Sequence, residues 1–281
     1  MPQNASAVAL KALTEWWEEM GVDVEAALIK ASMGANQASP SAQKQPEAPE
    51  TAVPATKAQP QTPRANGRRK KSKSLEDWVA DAKALADSAD SLPALKAAIE
   101  SYEGSPLKPL CENTVVYDGA LDAAIMVIGE GPGPQEDRLK LPFVGPAGQL
   151  LDKMLAAIKL DRKTNTFITN VNYWRPPGNR NPEADELAVC RPFVDRMIDL
   201  AKPKLLIAAG GVPAKSLLNT KTGIMRLRGT ESVFTTPTGT SVPIIPMLHP
   251  AYLLRRPQDK SRAWRDLLMV QARLAELGVE V

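Results

Sequence analysis

From about residue 74 onward, short unbroken apolar runs alternate with longer segments whose apolar side chains recur at helical spacing. The runs at 124–128, 166–169, 205–208 and 242–248 are rich in Ile, Val, Leu and Phe and are bounded by Gly, Pro or Asn, which predicts four short buried strands. Between and around them, residues 75–101, 148–158, 183–200, 212–218 and 260–277 carry an apolar stripe at helical period and predict helices, the first as one or two pieces. Strands that alternate with helices pair in parallel and are covered on both faces. The expected fold is therefore an α/β three-layer α/β/α sandwich with a central, mainly parallel four-stranded sheet.

The first 73 residues follow a different pattern. Leu10, Leu13, Trp16, Trp17, Met20 and Val24 stand near helical spacing, so residues 1–32 predict an N-terminal helical segment, broken near Gly21. Adjacent Trp16 and Trp17 need covering, either by the main domain or by a protein partner. Residues 33–73 turn to Ala, Pro, Gln, Ser, Thr and Lys, and without large apolar side chains they cannot offset the entropy of ordering. A flexible linker is expected there, leaving residues 74–281 as the main domain.

Charge sharpens this division. The net charge of +3 arises in the N-terminal part, because residues 74–281 hold equal numbers of acidic and basic side chains. Arg64, Arg68, Arg69, Lys70, Lys71 and Lys73 form a dense basic run, read either as a solvated linker end or as a contact for nucleic acid phosphates. Two cysteines, Cys111 and Cys190, are too few for a disulfide framework, and no N-terminal stretch has the make-up of a secretion signal. A cytoplasmic protein of bacterial-type cytosol or nucleoid, monomeric, is expected. No apolar segment approaches the roughly 20 residues of a membrane span.

Chemistry concentrates just after the strand-like runs. The first leads into Gly129-Glu130-Gly131-Pro132-Gly133-Pro134-Gln135-Glu136-Asp137, the second into Asn170 and then Arg175-Pro176-Pro177-Gly178-Asn179-Arg180. The third ends at Gly210-Gly211, and the fourth at His249, the single histidine of the chain. In parallel α/β sheets ligands bind beyond the carboxyl ends of the strands, so these loops should converge on one cleft. The first loop lacks the Lys-Ser/Thr ending of a P-loop and the glycine spacing of a dinucleotide fingerprint, which disfavours phosphate cradling. Taken singly, each feature also has a plain structural reading: the Gly-Pro pairs as rigid turns, Asn170 as a strand-end cap, Phe143 as core, His249 as a turn residue.

Taken in order, Gly-Glu-Gly-Pro-Gly-x-x-Glu-Asp, Pro-Phe-Val-Gly, Thr-Asn-Val, Arg-Pro-Pro-Gly-Asn-Arg, Pro-Lys-x-x-Ile and His-Pro-Ala-Tyr-Leu-Leu-Arg strongly resemble the family 4 uracil-DNA glycosylases. The resemblance covers roughly residues 100–275. It implies excision of uracil from DNA by hydrolysis of the N-glycosidic bond, a base-excision repair activity that leaves an abasic site. It also implies roles. His249 donates to uracil O2 as negative charge develops there. Asn170 pairs with the N3-H and O4 edge, which cytosine would mismatch. Phe143 stacks on the flipped base, Glu136 crowds C5, and Asn179 belongs to the same pocket. Glu130 and the backbone at Gly131 lie where the attacking water is positioned; the family often has alanine at 131. Leu253, Leu254 and Arg255 are candidates for the wedge that fills the gap left in the duplex, and Arg256 and Arg175 are further candidates for DNA contacts.

The family typically carries a four-iron-four-sulfur cluster on four cysteines. At the corresponding places this sequence has Tyr102, Ser105, Trp174 and Cys190, so no cluster is expected, and aromatic packing around Tyr102 and Trp174 would have to replace its cross-link. Two other classes stay open: a module that binds uracil or abasic DNA without turnover, and a glycosylase for another deaminated base such as hypoxanthine or xanthine.

Overall fold

In the computed structural model, residues 73–280 are described. The expected N-terminal helical segment, its Trp16 and Trp17, and the linker up to residue 72 lie outside the described residues. The chain opens with α1 (Leu75–Ser88) and α2 (Leu92–Ser101). Ser74 caps α1, accepting from the Asp77 N-H while the Asp77 carboxylate accepts from the Ser74 N-H, and Ser91 caps α2. Such reciprocal capping satisfies helix N-H groups that have no partner within the helix.

The four predicted strands form as β2 (Ile125–Gly129), β3 (Thr166–Asn170), β4 (Leu205–Ala209) and β6 (Ser241–Met247). The sheet is six-stranded, not four-stranded, because two edge strands join it: β1 (Tyr117–Gly119) and β5 (Ser232–Thr235). The order is β1-β3-β2-β4-β6-β5, with the four central strands mutually parallel and each edge strand antiparallel to its neighbour. Both added strands are short and only partly buried, so they lack the unbroken apolar run by which the central strands are read.

Helices α3 (Pro134–Leu139), α4 (Pro146–Ala156), α5 (Ala184–Ala201), α6 (Gly211–Leu217), α7 (Ile224–Leu227), α8 (Pro250–Arg255) and α9 (Lys260–Glu276) follow in chain order. Alternation along the strands divides the core. Met126, Ile128, Phe167, Leu206 and Ala208 pack with the buried faces of α1, α2 and α5. On the other face α4 packs against α8 and α9, and α9 against β6. The result is the three-layer arrangement, with the chain reversing its direction of progress across the sheet beside β2. Loops leaving β2, β3, β4 and β6 therefore emerge at one edge, at the carboxyl ends of the parallel strands.

Candidate active site

A cavity of about 400 Å³ opens over those strand ends. Glu130 and Gly131 reach it from the loop after β2, Glu136 from α3, Phe143 from the turn before α4, Asn179 and Arg180 from the loop after β3, and His249 and Arg255 from α8 and its cap. Three segments far apart in the sequence thus contribute to the cavity, while Gly210-Gly211, after the third strand, does not line it.

His249 is the N-cap of α8. Its Nδ1 accepts the Ala251 N-H at 3.1 Å, and Pro250 occupies the first helical position, where a missing N-H costs nothing. Because Nδ1 is an acceptor, the neutral ring carries its proton on Nε2. Burial, reinforced by the Arg255 guanidinium and opposed by Glu136, pushes the imidazole down to about 4. At neutral pH this ring is an uncharged hydrogen-bond donor, not an imidazolium.

Phe143 stacks on that ring, with centroids 5.7 Å apart and planes at 27°. Close backbone approach is required at Gly129, where a Cβ would lie 2.4 Å from the Phe143 ring and 2.5 Å from Asn170 Oδ1. Asn170, at the end of β3, is 1% exposed and does not line the cavity itself; its Oδ1 has no hydrogen-bond partner. A buried amide oxygen without a donor is costly, roughly 1–3 kcal/mol, and marks a place awaiting one.

The two carboxylates differ. Burial raises the Glu130 carboxyl, with Arg255 acting in the opposite sense. Glu136 is committed to the backbone: its Oε1 accepts from the N-H groups of Val144 (3.0 Å) and Gly145 (2.8 Å), and its Oε2 from Gly133 (3.1 Å). It lines the cavity while tying the glycine-rich loop to the turn that carries Phe143.

Asn179 lines the cavity but spends its Oδ1 on Arg175 Nε at 2.8 Å, which fixes the Arg-Pro-Pro-Gly-Asn turn. Within the wedge candidates the structure separates neighbours. Leu253 is 0% exposed and belongs to the core, so it is not a wedge residue; Leu254 is 43% exposed, and Arg255 and Arg256 are exposed with it. On a short helix one position of rotation turns a side chain from core to solvent.

Sequence reasoning did not single out two residues that the fold brings to this region. Tyr252 lines the cavity and donates its hydroxyl to Asp259 at 2.6 Å. Asn172, fully buried, donates its backbone N-H to the Glu130 carbonyl at 3.2 Å and its Nδ2 to the Trp174 carbonyl at 2.6 Å. Tyr252 stands in the quoted His-Pro-Ala-Tyr motif; Asn172 had no local signal, since beside neighbouring Trp174 its partners, Glu130 and Cys190, come from two other segments.

Of the four places that correspond to cluster cysteines, two carry rings, Tyr102 and Trp174. Tyr102 lies 6.2 Å from Trp174 and 5.3 Å from Phe193, centroid to centroid, and meets Trp78 edge-on at 6.3 Å. Trp174 Nε1 donates to Thr114 Oγ1 at 3.0 Å, and the Tyr102 hydroxyl to the Trp78 carbonyl at 2.7 Å. Cys190 is buried, its Sγ donates to Asn172 Oδ1 at 3.7 Å, and burial pushes its thiol up to about 12. Ser105, the fourth of these positions, is also buried. Among the described residues no group of three or more His, Cys, Asp or Glu could hold a metal ion, and the chain has two cysteines in all. The residues present do not fit a four-cysteine cluster.

Fold and site together define a doubly wound α/β protein whose strand-end cavity offers a neutral imidazole donor and an aromatic face, with a buried amide acceptor at the end of β3 outside the cavity lining. The chain belongs to the uracil DNA glycosylase superfamily, whose pattern residues 116–268 match. It is 34% identical over 177 residues, 61% of this chain and 88% of that protein, to a type-4 uracil-DNA glycosylase of Pyrobaculum aerophilum. It is likewise 36% identical over 172 residues to the type-4 enzyme of Sulfurisphaera tokodaii, covering 60% of this chain and 78% of that protein. The type-4 enzyme of Thermotoga maritima is 36% identical over 165 residues, 58% of this chain and 83% of its own length.

Proposed function

We propose that this protein is a uracil-DNA glycosylase of DNA repair, which hydrolyses the bond between uracil and deoxyribose in a flipped nucleotide and does so without an iron-sulfur cluster. The observation that carries the reading is the neutral imidazole of His249 stacked with Phe143 in the strand-end cavity, together with the buried, unpartnered Oδ1 of Asn170 at the end of β3. The type-4 relatives support the same reaction class.

Uracil presents a donor at N3 and acceptors at O2 and O4. Asn170 Oδ1 accepts from N3-H and its amide donates to O4; cytosine carries an unprotonated N3 and would set acceptor against acceptor. Entry of the base gives the Phe143 ring a flat partner to stack on. Glu136, fixed by three backbone N-H groups, leaves little room for a methyl group at C5. Extruding the base costs a few kcal/mol, which favours mispaired targets, and exposed Leu254 fills the gap while Arg255 and Arg256 hold phosphates, with Arg175 beyond the turn.

As the N-glycosidic bond breaks, electrons move onto the base. His249 donates from Nε2 to O2 and stabilises the departing anion without transferring charge of its own, which a ring with an ordinary pKa would not guarantee. The sugar becomes cation-like, and water adds to its anomeric carbon, giving up its proton by way of the Glu130 carboxylate to solvent while uracil leaves as the anion. Glu130 and the backbone at Gly131 hold that water, and the partly desolvated carboxylate steadies the positive sugar. Tyr102 and Trp174, at two of the places that correspond to cluster cysteines, pack together with Phe193, and each step above is carried by this chain's own residues.

The protein acts on uracil-containing DNA as a cytoplasmic monomer; among the described residues no helix is long and apolar enough to cross a membrane. A labelled oligonucleotide with one uracil, beside cytosine, thymine, hypoxanthine and xanthine controls, tests the reading after alkaline cleavage. Scission at uracil alone is expected. Binding without scission would replace it with a non-catalytic module, and scission at hypoxanthine or xanthine instead would reassign the substrate.

A further inference from the structure

We infer that Arg162, in the loop between α4 and β3, is the positioning residue for the Phe143 stacking platform; this rests on the reading that Phe143 stacks on the flipped base. Its side chain is 13% exposed and all of its guanidinium nitrogens are engaged. Nη2 donates to the Phe143 carbonyl at 2.7 Å and Nη1 to the Pro142 carbonyl at 3.1 Å. Two carboxylates hold the guanidinium from the other side: Asp118 on β1 (Nη1, 3.0 Å) and Asp152 on α4 (Nε, 2.8 Å).

The carbonyls that Arg162 grips belong to a strained turn. Phe143 has φ of +54°, the left-handed region that a bulky side chain adopts only when its surroundings impose it. Gly148 permits the turn, since a Cβ there would lie 1.8 Å from the Phe143 carbonyl oxygen. Arg162 fixes that carbonyl and so the direction in which the Cα-Cβ bond leaves the backbone. The backbone of the platform is therefore anchored to the sheet edge and to α4. Lysine cannot reproduce this role, having one nitrogen where the guanidinium spreads its donors over four acceptors.

The test is a double-mutant cycle on uracil excision with Phe143→Ala, Arg162→Gln and the pair, alongside Arg162→Lys and Asp118→Asn, with melting temperatures for each. If Arg162 acts through Phe143, Arg162→Gln lowers kcat/KM roughly tenfold, within the range lost when a base loses its stacking partner. The pair is then no worse than Phe143→Ala within about twofold, the margin for additivity errors. Arg162→Lys recovers only part of the loss. Asp118→Asn, which keeps both carbonyl bonds, lowers the melting temperature while kcat/KM stays within about twofold. Losses that multiply in the pair, a fully active Arg162→Gln, or an equal kcat/KM loss in Asp118→Asn would each overturn the inference while leaving the stacking reading intact. Full activity in Phe143→Ala would overturn that reading, and the inference with it.

Discussion

Lowering the pH should destabilise this protein through His249 alone by an amount that the site fixes. Burial and the Arg255 guanidinium push the folded-state imidazole to about 4, against 6.5 for the free side chain. As pH falls through 6.5 the unfolded chain takes up a proton that the folded chain refuses until about 4. Stability is therefore fully present above the unfolded value and falls through that window, by about 1.4 kcal/mol per pH unit and about 3 kcal/mol in total. The measurement is urea unfolding of the native chain and of His249→Gln near neutral pH and at about pH 5. Carboxylates titrate in both proteins and cancel, and there is no second histidine to confuse the difference. The native chain should lose about 2 kcal/mol more than the variant over that interval. Because the working ring is neutral, His249 by itself would keep excision level as the pH drops to about 5, and any earlier decline reports protonation of Glu130, whose carboxyl burial raises. Equal losses in the two proteins, or a histidine NMR titration centred near 6.5, would refute the neutral-donor reasoning.

Removing the buried amide should abolish recognition before it harms the fold: Asn170→Ala is expected to lower kcat/KM for uracil by about 100-fold or more, measured by single-turnover excision. Leu253→Ala and Leu254→Ala should separate core from surface, the first losing about 2–5 kcal/mol of unfolding free energy and the second losing duplex excision with little change in stability. Trp174→Ala removes a fully buried ring at the cluster-equivalent place and should cost about 3–5 kcal/mol, a fall of about 10 °C in melting temperature by calorimetry.

The legible parts of this chain share a physical cause. The four central strands are buried on both faces, so they read as unbroken apolar runs, and each predicted helix over 75–277 appears within a few residues of its expected bounds. Residues at strand ends inherit their place from topology, which is why Glu130, Asn170 and His249 could be assigned to one edge of the sheet before any geometry. What escaped depends on contacts that no local pattern encodes. Tyr117–Gly119 and Ser232–Thr235 are strands because a neighbour offers a free edge, not because of their own composition. Leu253 and Leu254 differ only in rotational phase, which the His249 cap sets at the start of α8. Glu136 was read for the face it turns to the base, whereas most of its hydrogen-bonding capacity goes to the loops on either side. Arg162 and Asn172 meet their partners across turns whose shape sequence does not reveal.

The claim at the centre of this account is that the pocket removes uracil from DNA with rings where the family holds iron. Excision and iron content measured on one purified sample address it most directly. The account predicts scission confined to uracil by protein with no more than trace iron, unchanged after treatment with a strong chelator. Scission that tracks an iron-containing fraction, or a folded iron-free chain that binds uracil-containing DNA and leaves it intact, would contradict it.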